Sequence, residues 1–352
     1  MKKTLVLEVD FEEPEIEKIR VAADFIKKGG LVAFPTETVY GLGADALNSK
    51  AVLALFKAKK RPLDNPPIVH VENMKDVYRL AKEIPPKVER LMKFWPGPLT
   101  MIFKRSTIVP DVTVAGLDTI AIRMPRHKVA LALIRESSCP IAAPSANLAG
   151  KPSPTSAKHV FEDLNGRIDA ILDAGPTDVG VESTVLDLTV HPPQILRPGG
   201  TSFEALKEAL GSVKLHPIVI AEKELPIEGP RSPGMKHKHY APNAAVIVVE
   251  GSISAIVYKV KELADSYEKK GSRVGILATD ETVAYYRADV VKTFGSRHDL
   301  AAVAKNLFRR LREFDAEGID VIIAEGVSSK GLGLAVMNRL RKASGYNIVK
   351  AD

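Results

Sequence analysis

Cysteine is nearly absent from this sequence, because Cys139 is the only one in 352 residues. A single thiol cannot form a disulfide within the chain, which excludes the disulfide-stapled secreted class and favours a reducing compartment, the cytoplasm. Cys139 stands in the apolar run CPIAAP. That setting predicts a buried structural thiol rather than a nucleophile, since an apolar environment disfavours the thiolate.

Long apolar runs are also missing. No stretch approaches the roughly 20 apolar residues that a membrane-spanning helix needs. The N-terminus, MKKTLVLEVDFEEPE, has only a short apolar run before acidic residues follow. That run is too short for a signal peptide and predicts a first strand. The chain is therefore not expected to use a membrane.

Several catalytic signatures are absent as well. The sequence has no Walker A pattern, no GxSxG and no HExxH, and Gly331 and Gly333 lack the third glycine of a dinucleotide fingerprint. The run HKH at 237–239 has no cysteine pair to complete a zinc site, so no metal site is predicted there. Aromatic residues make up 6%, without an RNA-recognition motif, which argues against binding RNA by base stacking.

Positive charge is present in excess. The chain has 50 Lys and Arg residues against 43 Asp and Glu, which gives a net charge of +7. Such a balance favours anionic ligands, either nucleotides or nucleic acid. The basic residues are dispersed, so a solvated surface accounts for most of them.

The pattern of apolar runs predicts two α/β domains joined by a linker. Residues 1–211 alternate short apolar runs with amphipathic stretches, and the glycines at 29–30 end the first predicted helix. Residues 212–243 are rich in proline and show no sustained period. Residues 244–352 alternate strand and helix patterns, which predicts a smaller parallel, Rossmann-like sheet. The strands predicted in the first domain are 31–35, 67–71, 99–103, 119–125, 139–144, 170–175 and 183–188.

Two polar clusters lie early in the chain. The segment PTETVYGLGADA, at 35–46, follows a predicted strand and is either a binding loop or a glycine turn with satisfied hydroxyls. In KAKKRPLDNPPIVHV, at 57–71, Lys59 and Arg61 lie where a helix gives way to a loop. They either complement the helix dipole or bind a polyphosphate, for which a lysine beside a forked guanidinium is suited.

Three further clusters follow. Arg123 interrupts the apolar strand TIAIRMP, where a guanidinium needs an anionic partner, either a substrate carboxylate or a buried acid. The loop APSANLAGKPSPTS, at 143–156, offers hydroxyls and amides to a phosphate or sugar. GVESTVLDL and QILRPGG place Ser183, Thr184 and Arg197 on or beside paired strands.

The order of these five clusters resembles that of the YrdC-like threonylcarbamoyl-AMP synthases over residues 10–210. SPGMKHKHYAP and the α/β domain after it are similar to the longer, two-domain form of that family. The resemblance implies a twisted α/β domain with an open basic cleft, followed by the Rossmann-like domain. It also implies synthesis of threonylcarbamoyl-AMP from ATP, L-threonine and bicarbonate, for threonylcarbamoylation of tRNA.

The resemblance also implies residue roles. Lys59 and Arg61 would hold the ATP phosphates. The nucleotide site would be completed by Asn65, Thr119, Ser145, Asn147, Ser153, Arg197 and Tyr240. L-Threonine would be bound by Thr36 or Thr38, His70, Arg123, Ser183 and the backbone at Ala143. Mg2+ would arrive with ATP, helped through water by Glu37 or Glu182, without a dedicated protein site.

Two rival functions and one hypothesis about the linker complete the expectations. The rivals are a noncatalytic RNA-binding protein and an enzyme that forms a carbamoyl adenylate from carbamoyl phosphate. If the protein is a synthase, a functional link to a tRNA threonylcarbamoyl transferase is implied, and contact with tRNA itself is possible but not required. The basic, proline-rich linker is interpreted as a lid in which Tyr240 closes over the nucleotide.

Overall fold

The computed structural model describes residues 3–225 and 240–352, which form two compact units. Within those ranges, the first unit comprises 3–149 and 153–219, and the second comprises 150–152, 220–225 and 240–352. No helix in the described ranges has the length and apolar character needed to cross a membrane. HKH and the rest of residues 226–239 of the hypothetical lid lie outside the described residues, whereas 212–225 and 240–243, which include Tyr240, lie within them.

The described part of the first unit is built on an eleven-stranded mixed sheet. Its strands are β1 (Leu5–Glu8), β2 (Val32–Phe34), β3 (Gly41–Asp45), β4 (Val69–His70), β5 (Leu99–Lys104), β6 (Thr119–Arg123), β7 (Ile141–Ala142), β8 (Ala170–Asp173), β9 (Thr184–Asp187), β10 (Gln194–Arg197) and β11 (Lys214–Leu215). They lie in the order β1-β8-β2-β3-β7-β4-β6-β5-β9-β10-β11. All seven strands predicted at 31–188 and the predicted first strand are confirmed, although several are shorter than their apolar runs.

Helices cover both faces of the β8-β2-β3 part of this sheet. The helices are α1 (Ile16–Lys27), α2 (Ser49–Lys59), α3 (Met74–Leu80), α4 (Lys128–Ser137), α5 (Ala157–Leu164), α6 (Phe203–Leu210) and α7 (Pro217–Ile220). Val32 and Phe34 of β2 pack with α1 and α4, whereas Ala33 between them packs with α2 and α5. This alternation is the period of two expected for a strand buried on both faces. Cys139 packs at the edge of the α1–α4 core, and burial raises the pKa of its thiol to about 12, as expected for an unreactive cysteine.

The interpretation of residues 35–46 as a loop or a glycine turn is only partly right, because only the first half of this segment is a loop. Residues Gly41–Asp45 form β3, which pairs antiparallel with β2 and with β7. A Cβ at Gly43 would lie 2.8 Å from Cγ2 of Ile141 and 2.9 Å from Cε1 of Phe34. The glycine therefore permits close packing between strands and does not mark a turn. The linker interpretation is also partly wrong, since 212–225 contains β11 and α7.

The second unit has a five-stranded sheet within the described residues, in the order β14-β13-β15-β12-β16. Its elements are β12 (Ala245–Gly251), α8 (Ile253–Glu268), β13 (Val274–Ala278), β14 (Val290–Thr293), α9 (Leu300–Ala316), β15 (Val321–Glu325), α10 (Gly333–Ala343) and β16 (Ile348–Ala351). All pairs are parallel, which confirms the predicted parallel sheet. The order differs from the common dinucleotide-binding order, because β15 lies between β12 and β13.

A buried acid joins the carboxyl ends of the central strands in this second sheet. Glu325, at the end of β15, is fully buried. It accepts hydrogen bonds from the Thr279 amide at 2.9 Å and from the Thr282 hydroxyl at 2.8 Å. Nη2 of Arg297 donates to it at 3.1 Å, and the Tyr286 hydroxyl also donates to it. In open α/β sheets this edge is where ligands usually bind, but here the protein's own charge pair occupies it.

We expect Glu325→Leu to destabilise the second unit by about 3–5 kcal/mol, because it leaves Arg297 and several buried donors without their acceptor. Urea unfolding followed by circular dichroism measures the loss. The single tryptophan, Trp95, belongs to the first unit, so its fluorescence transition should move less. Glu262→Gln on α8 removes a half-exposed carboxylate paired with Lys259 and serves as the control. Equal small shifts for both variants would contradict the prediction.

Candidate active site

The centre of the candidate site is a row of polar side chains across three neighbouring strands of the first unit. Arg123 ends β6, where it lies opposite His70 of β4 and opposite Thr100 of β5. Residues paired in this way point to the same face of a sheet. Thr100 extends the row, because its hydroxyl is 2.7 Å from that of Ser183. All four residues are at least 97% buried, as expected for polar groups placed in apolar strands.

Arg123 is held by an acid and by the loop after β2. Its Nη2 lies 2.8 Å from Oε1 of Glu37, and both side chains are almost fully buried. Nη1 donates to the Thr38 hydroxyl at 2.9 Å, and Nε donates to the carbonyl of Gly97 at 3.2 Å. The sequence leaves two possible partners for Arg123, a substrate carboxylate or a buried acid. The structure shows the buried acid, Glu37. Glu37, proposed as a helper for Mg2+, is therefore engaged in an ion pair instead.

The threonine hydroxyls at 36 and 38 form a directed chain of hydrogen bonds. The Thr36 hydroxyl is 2.7 Å from the carbonyl of Val39, which can only accept. Thr36 therefore donates to Val39 and accepts from the Thr38 hydroxyl at 2.8 Å. Thr38 in turn accepts from Arg123. This order orients both hydroxyls before any ligand binds, and Thr38 is the one in contact with Arg123.

His70 is neutral in this environment. Burial, followed by the charge of Arg123, lowers the pKa of its imidazole to about 3. Its Nδ1 lies 3.2 Å from the carbonyl of Ile68, so Nδ1 bears the proton and Nε2 is the acceptor. The same carbonyl of Ile68 accepts from the Ala143 amide at 2.8 Å. A ligand at Ala143 would therefore meet its carbonyl oxygen and not its amide.

Lys59 and Arg61 lie at the end of α2, as the sequence predicts, and both contact backbone carbonyls. Lys60 between them adopts a left-handed conformation with φ of 52°, which ends the helix. Nζ of Lys59 is almost completely buried and donates to the carbonyls of Ser145 and Asn147. Nε of Arg61 donates to the carbonyl of Asn65 at 2.9 Å. Lys59 thus ties the helix to the loop after β7, whereas Arg61 is partly exposed.

The loop after β7 is organised by its own polar groups. The Ser145 hydroxyl donates to Oδ1 of Asn147 at 2.5 Å, and the amide of Ala149 donates to the carbonyl of Lys59 at 3.0 Å. The Ser153 hydroxyl donates to Oε1 of Glu182 at 2.5 Å. Glu182, the other residue proposed to assist Mg2+, is thereby used to fix the end of the loop.

The remaining predicted residues lie in separate places. Arg197 of β10 donates from Nη2 to the carbonyl of Ser183 at 2.9 Å, so it joins the polar row. Thr119 begins β6, at the opposite end of the strand from Arg123. Tyr240 belongs to the second unit, where its ring stacks on Phe308 with centroids 5.3 Å apart. The proposed closure of Tyr240 over a nucleotide stays a prediction.

Sequence reasoning missed two parts of this site. Thr100 lies in the apolar run LTMIF and carries the same signal as Arg123, a polar residue inside a buried strand. His127, next to α4, is 5% exposed, and its Nδ1 has no hydrogen-bond partner. Burial lowers the pKa of His127 to about 4. Its sequence neighbourhood, RMPRHKV, gives no signal that would distinguish it from a surface histidine.

Comparison with known sequences places this geometry in a family. Residues 24–199 match the Sua5/YciO/YrdC family, described as telomere recombination. Residues 201–345 match the family described as threonylcarbamoyl-AMP synthase, C-terminal domain. The chain belongs to the Sua5/YciO/YrdC family. It has the two-domain form, and it is an enzyme of that family.

Two relatives of this Sua5/YciO/YrdC protein match it over nearly its whole length. The threonylcarbamoyl-AMP synthase of Pyrococcus abyssi is 52% identical over 99% of both chains. That of Bacillus subtilis is 48% identical over 97% of this chain and 96% of the relative. The crystal structure of Pyrococcus abyssi Sua5 complexed with L-threonine superposes with a TM-score of 0.94, covering 99% of this chain and all of that one. The predicted α/β fold class and family are confirmed.

We expect Arg123→Met to destabilise the first unit by about 3–5 kcal/mol, since Glu37 is left buried and without its ion pair. The double variant Arg123→Met/Glu37→Gln should regain much of the lost stability, because neither charge remains. Urea denaturation of the two variants and of wild type measures the difference. A double variant no more stable than Arg123→Met would contradict an ion pair that matters to folding.

Proposed function

We propose that this protein joins L-threonine, bicarbonate and ATP into threonylcarbamoyl-AMP and releases pyrophosphate. The observation that carries the proposal is the buried row of His70, Arg123, Thr100 and Ser183, a set of polar side chains brought together in an otherwise apolar sheet. The similarity to an enzyme whose structure contains L-threonine supports the same ligand here. The reaction needs only alignment and stabilisation of charge, and it needs no covalent nucleophile.

In this proposal L-threonine lies against the polar row. Its carboxylate is bound by the Arg123 guanidinium and by the Ser183 hydroxyl. Its ammonium or hydroxyl donates to Nε2 of neutral His70 and to the carbonyl of Ala143. Thr38, already oriented by Arg123, supplies a further contact, with Thr36 behind it.

ATP lies on the loop after β7 and at the end of α2. Arg61 and Lys59 place positive charge beside the phosphates. Lys59 also holds the backbone of this loop in position. The other residues proposed to contact the nucleotide are Asn65, Thr119, Ser145, Asn147, Ser153, Arg197 and Tyr240. Mg2+ comes with ATP, because this hard cation is usually held by substrate phosphates and water rather than by an all-protein cage.

The chemistry follows from this placement. The amine of threonine captures CO2, derived from bicarbonate, and loses a proton to form an N-carboxylate. An oxygen of this N-carboxylate attacks the α-phosphorus of ATP while the bond to the β-phosphate oxygen breaks, and pyrophosphate leaves with its charge. Fixed cations at the phosphates lower the barrier, because they are already oriented towards the developing charge. The product is then used by a tRNA threonylcarbamoyl transferase in the cytoplasm.

The proposal is tested by following labelled bicarbonate in a reaction with ATP and L-threonine. The label should appear in an AMP-linked product that also contains threonine, with one pyrophosphate per adduct. Replacing bicarbonate and threonine by carbamoyl phosphate should give no adduct. Orthophosphate as the sole phosphorus product, an adduct formed from carbamoyl phosphate, or binding of RNA without turnover would contradict the proposal.

We expect Arg61→Ala to reduce kcat/KM by about 100-fold, since loss of one fixed charge contact commonly costs ~2.7–4 kcal/mol in the transition state. Lys57→Ala is the matched control, because Lys57 is an exposed cation in the same last turn of α2. If both cations only complement the helix dipole, the two variants will behave alike. Lys59→Ala is less informative, since its removal also frees the Ser145 and Asn147 carbonyls and so disturbs the loop.

A further inference from the structure

The carboxylate of Glu37 has hydrogen-bond acceptor capacity that the described residues do not use. Its side chain is 1% exposed, so bulk water does not solvate the charge. Nη2 of Arg123 lies 2.8 Å from Oε1 of Glu37, but among residues 3–225 and 240–352 neither carboxylate oxygen accepts a hydrogen bond and Nη2 donates none. The contact is therefore an ion pair without aligned hydrogen bonds. Such a carboxylate is costly, because a buried charge needs hydrogen bonds as well as a counter-charge.

The position of this carboxylate is set by the main chain around it. The carbonyl of Glu37 accepts from the Val179 amide at 2.8 Å, and the carbonyl of Thr38 accepts from the Gly180 amide at 3.1 Å. The Thr38 hydroxyl accepts from Nη1 of Arg123 at 2.9 Å. All of these residues lie in the first unit. The unused acceptor capacity therefore belongs to a well-anchored part of the site and not to a loose surface side chain.

A group with both a positive charge and hydrogen-bond donors matches what Glu37 lacks. Neither of the two imidazoles affected by the charge of Arg123 supplies it, because burial lowers the pKa of His70 to about 3 and that of His127 to about 4. An ammonium group brings one charge and three donors. In an α-amino acid the ammonium and the carboxylate are bonded to the same carbon. This arrangement complements Arg123 and Glu37, which present the opposite charges 2.8 Å apart.

We propose that Glu37 is a specificity-determining residue that binds the α-ammonium group of the substrate. The site therefore accepts α-amino acids and rejects carboxylic acids that lack the amine. An acid of that kind can still bind Arg123, but it leaves the buried carboxylate of Glu37 without donors and brings a second negative charge beside it. This inference rests on the proposed function, which places the carboxylate of threonine on Arg123 and gives its ammonium no charged partner.

The test measures the Kd of two ligands by calorimetry with the full-length chain. They are L-threonine and (R)-3-hydroxybutanoate, which is threonine without its amino group. Wild type should bind L-threonine about 10- to 100-fold more tightly, as expected for hydrogen bonding to a charged group. Glu37→Gln should reduce this preference by about tenfold, because the amide keeps the size of the side chain and loses its charge. Glu12→Gln removes an exposed carboxylate paired with Lys128 and should leave both constants unchanged.

The comparison of the two ligands separates binding of the ammonium from a structural role of Glu37. If Glu37 acted only by holding Arg123 in place, Glu37→Gln would weaken both ligands equally, since both have the carboxylate that Arg123 binds. Equal weakening, or an unchanged preference, contradicts the inference. If Glu37→Gln does not fold, as judged by circular dichroism, Glu37→Asp decides instead. That variant keeps both charges and draws the carboxylate back by one carbon, so the preference for L-threonine should fall there as well.

Failure of this inference is distinguishable from failure of the proposed function. A wild-type chain that forms no adduct and releases no pyrophosphate contradicts the proposed function. An active wild type whose preference for the ammonium is the same with and without the Glu37 carboxylate contradicts the assignment of Glu37 alone.

Discussion

The ion pair between Arg123 and Glu37 is the constraint on which the first unit's site depends. A guanidinium at the end of an interior strand is costly to bury unless it has an anionic partner and further acceptors. Glu37, Thr38 and the carbonyl of Gly97 meet that need. They also fasten the loop after β2 to the sheet, so the hydroxyls of this loop are oriented before a ligand arrives. Stability and preorganisation thus come from the same contacts.

At the end of α2 a buried cation again fixes a loop, but its partners are backbone carbonyls instead of a buried acid. The side chain of Lys59 is buried, and its Nζ donates two hydrogen bonds to backbone carbonyls of the loop after β7. Lys59, which is predicted from the sequence to bind phosphates, is therefore a structural brace between the helix and that loop. Arg61, two residues later, is half-buried and donates to the carbonyls of Asn65 and Pro66. The two cations, two residues apart in sequence, therefore have different environments, which a sequence pattern does not separate.

What the sequence predicts well is what depends on local periodicity. The end of α2 at Lys59 agrees with the helix-to-loop junction predicted there, and the strand carrying Arg123 follows from its apolar run. The glycines of β3 resemble a turn in the sequence, whereas Gly43 is required by its close contact with Ile141, which is distant in sequence. The ion pair of Glu37 likewise depends on a residue distant in sequence. Its partner is 86 residues away along the chain, and no local pattern reveals which buried acid meets which buried base.

The charge balance of the polar row bears on which molecule fits it. Arg123 and Glu37 together are net neutral, and His70 beside them is uncharged because burial lowers its pKa to about 3. A dianion such as carbamoyl phosphate would meet no net positive charge on this wall and would lose its hydration on entering. A zwitterion can place its carboxylate near the guanidinium and its ammonium near the acid and the imidazole nitrogen. The electrostatics of the row therefore favour an amino acid, while the cations at the end of α2 lie outside it and suit the phosphates.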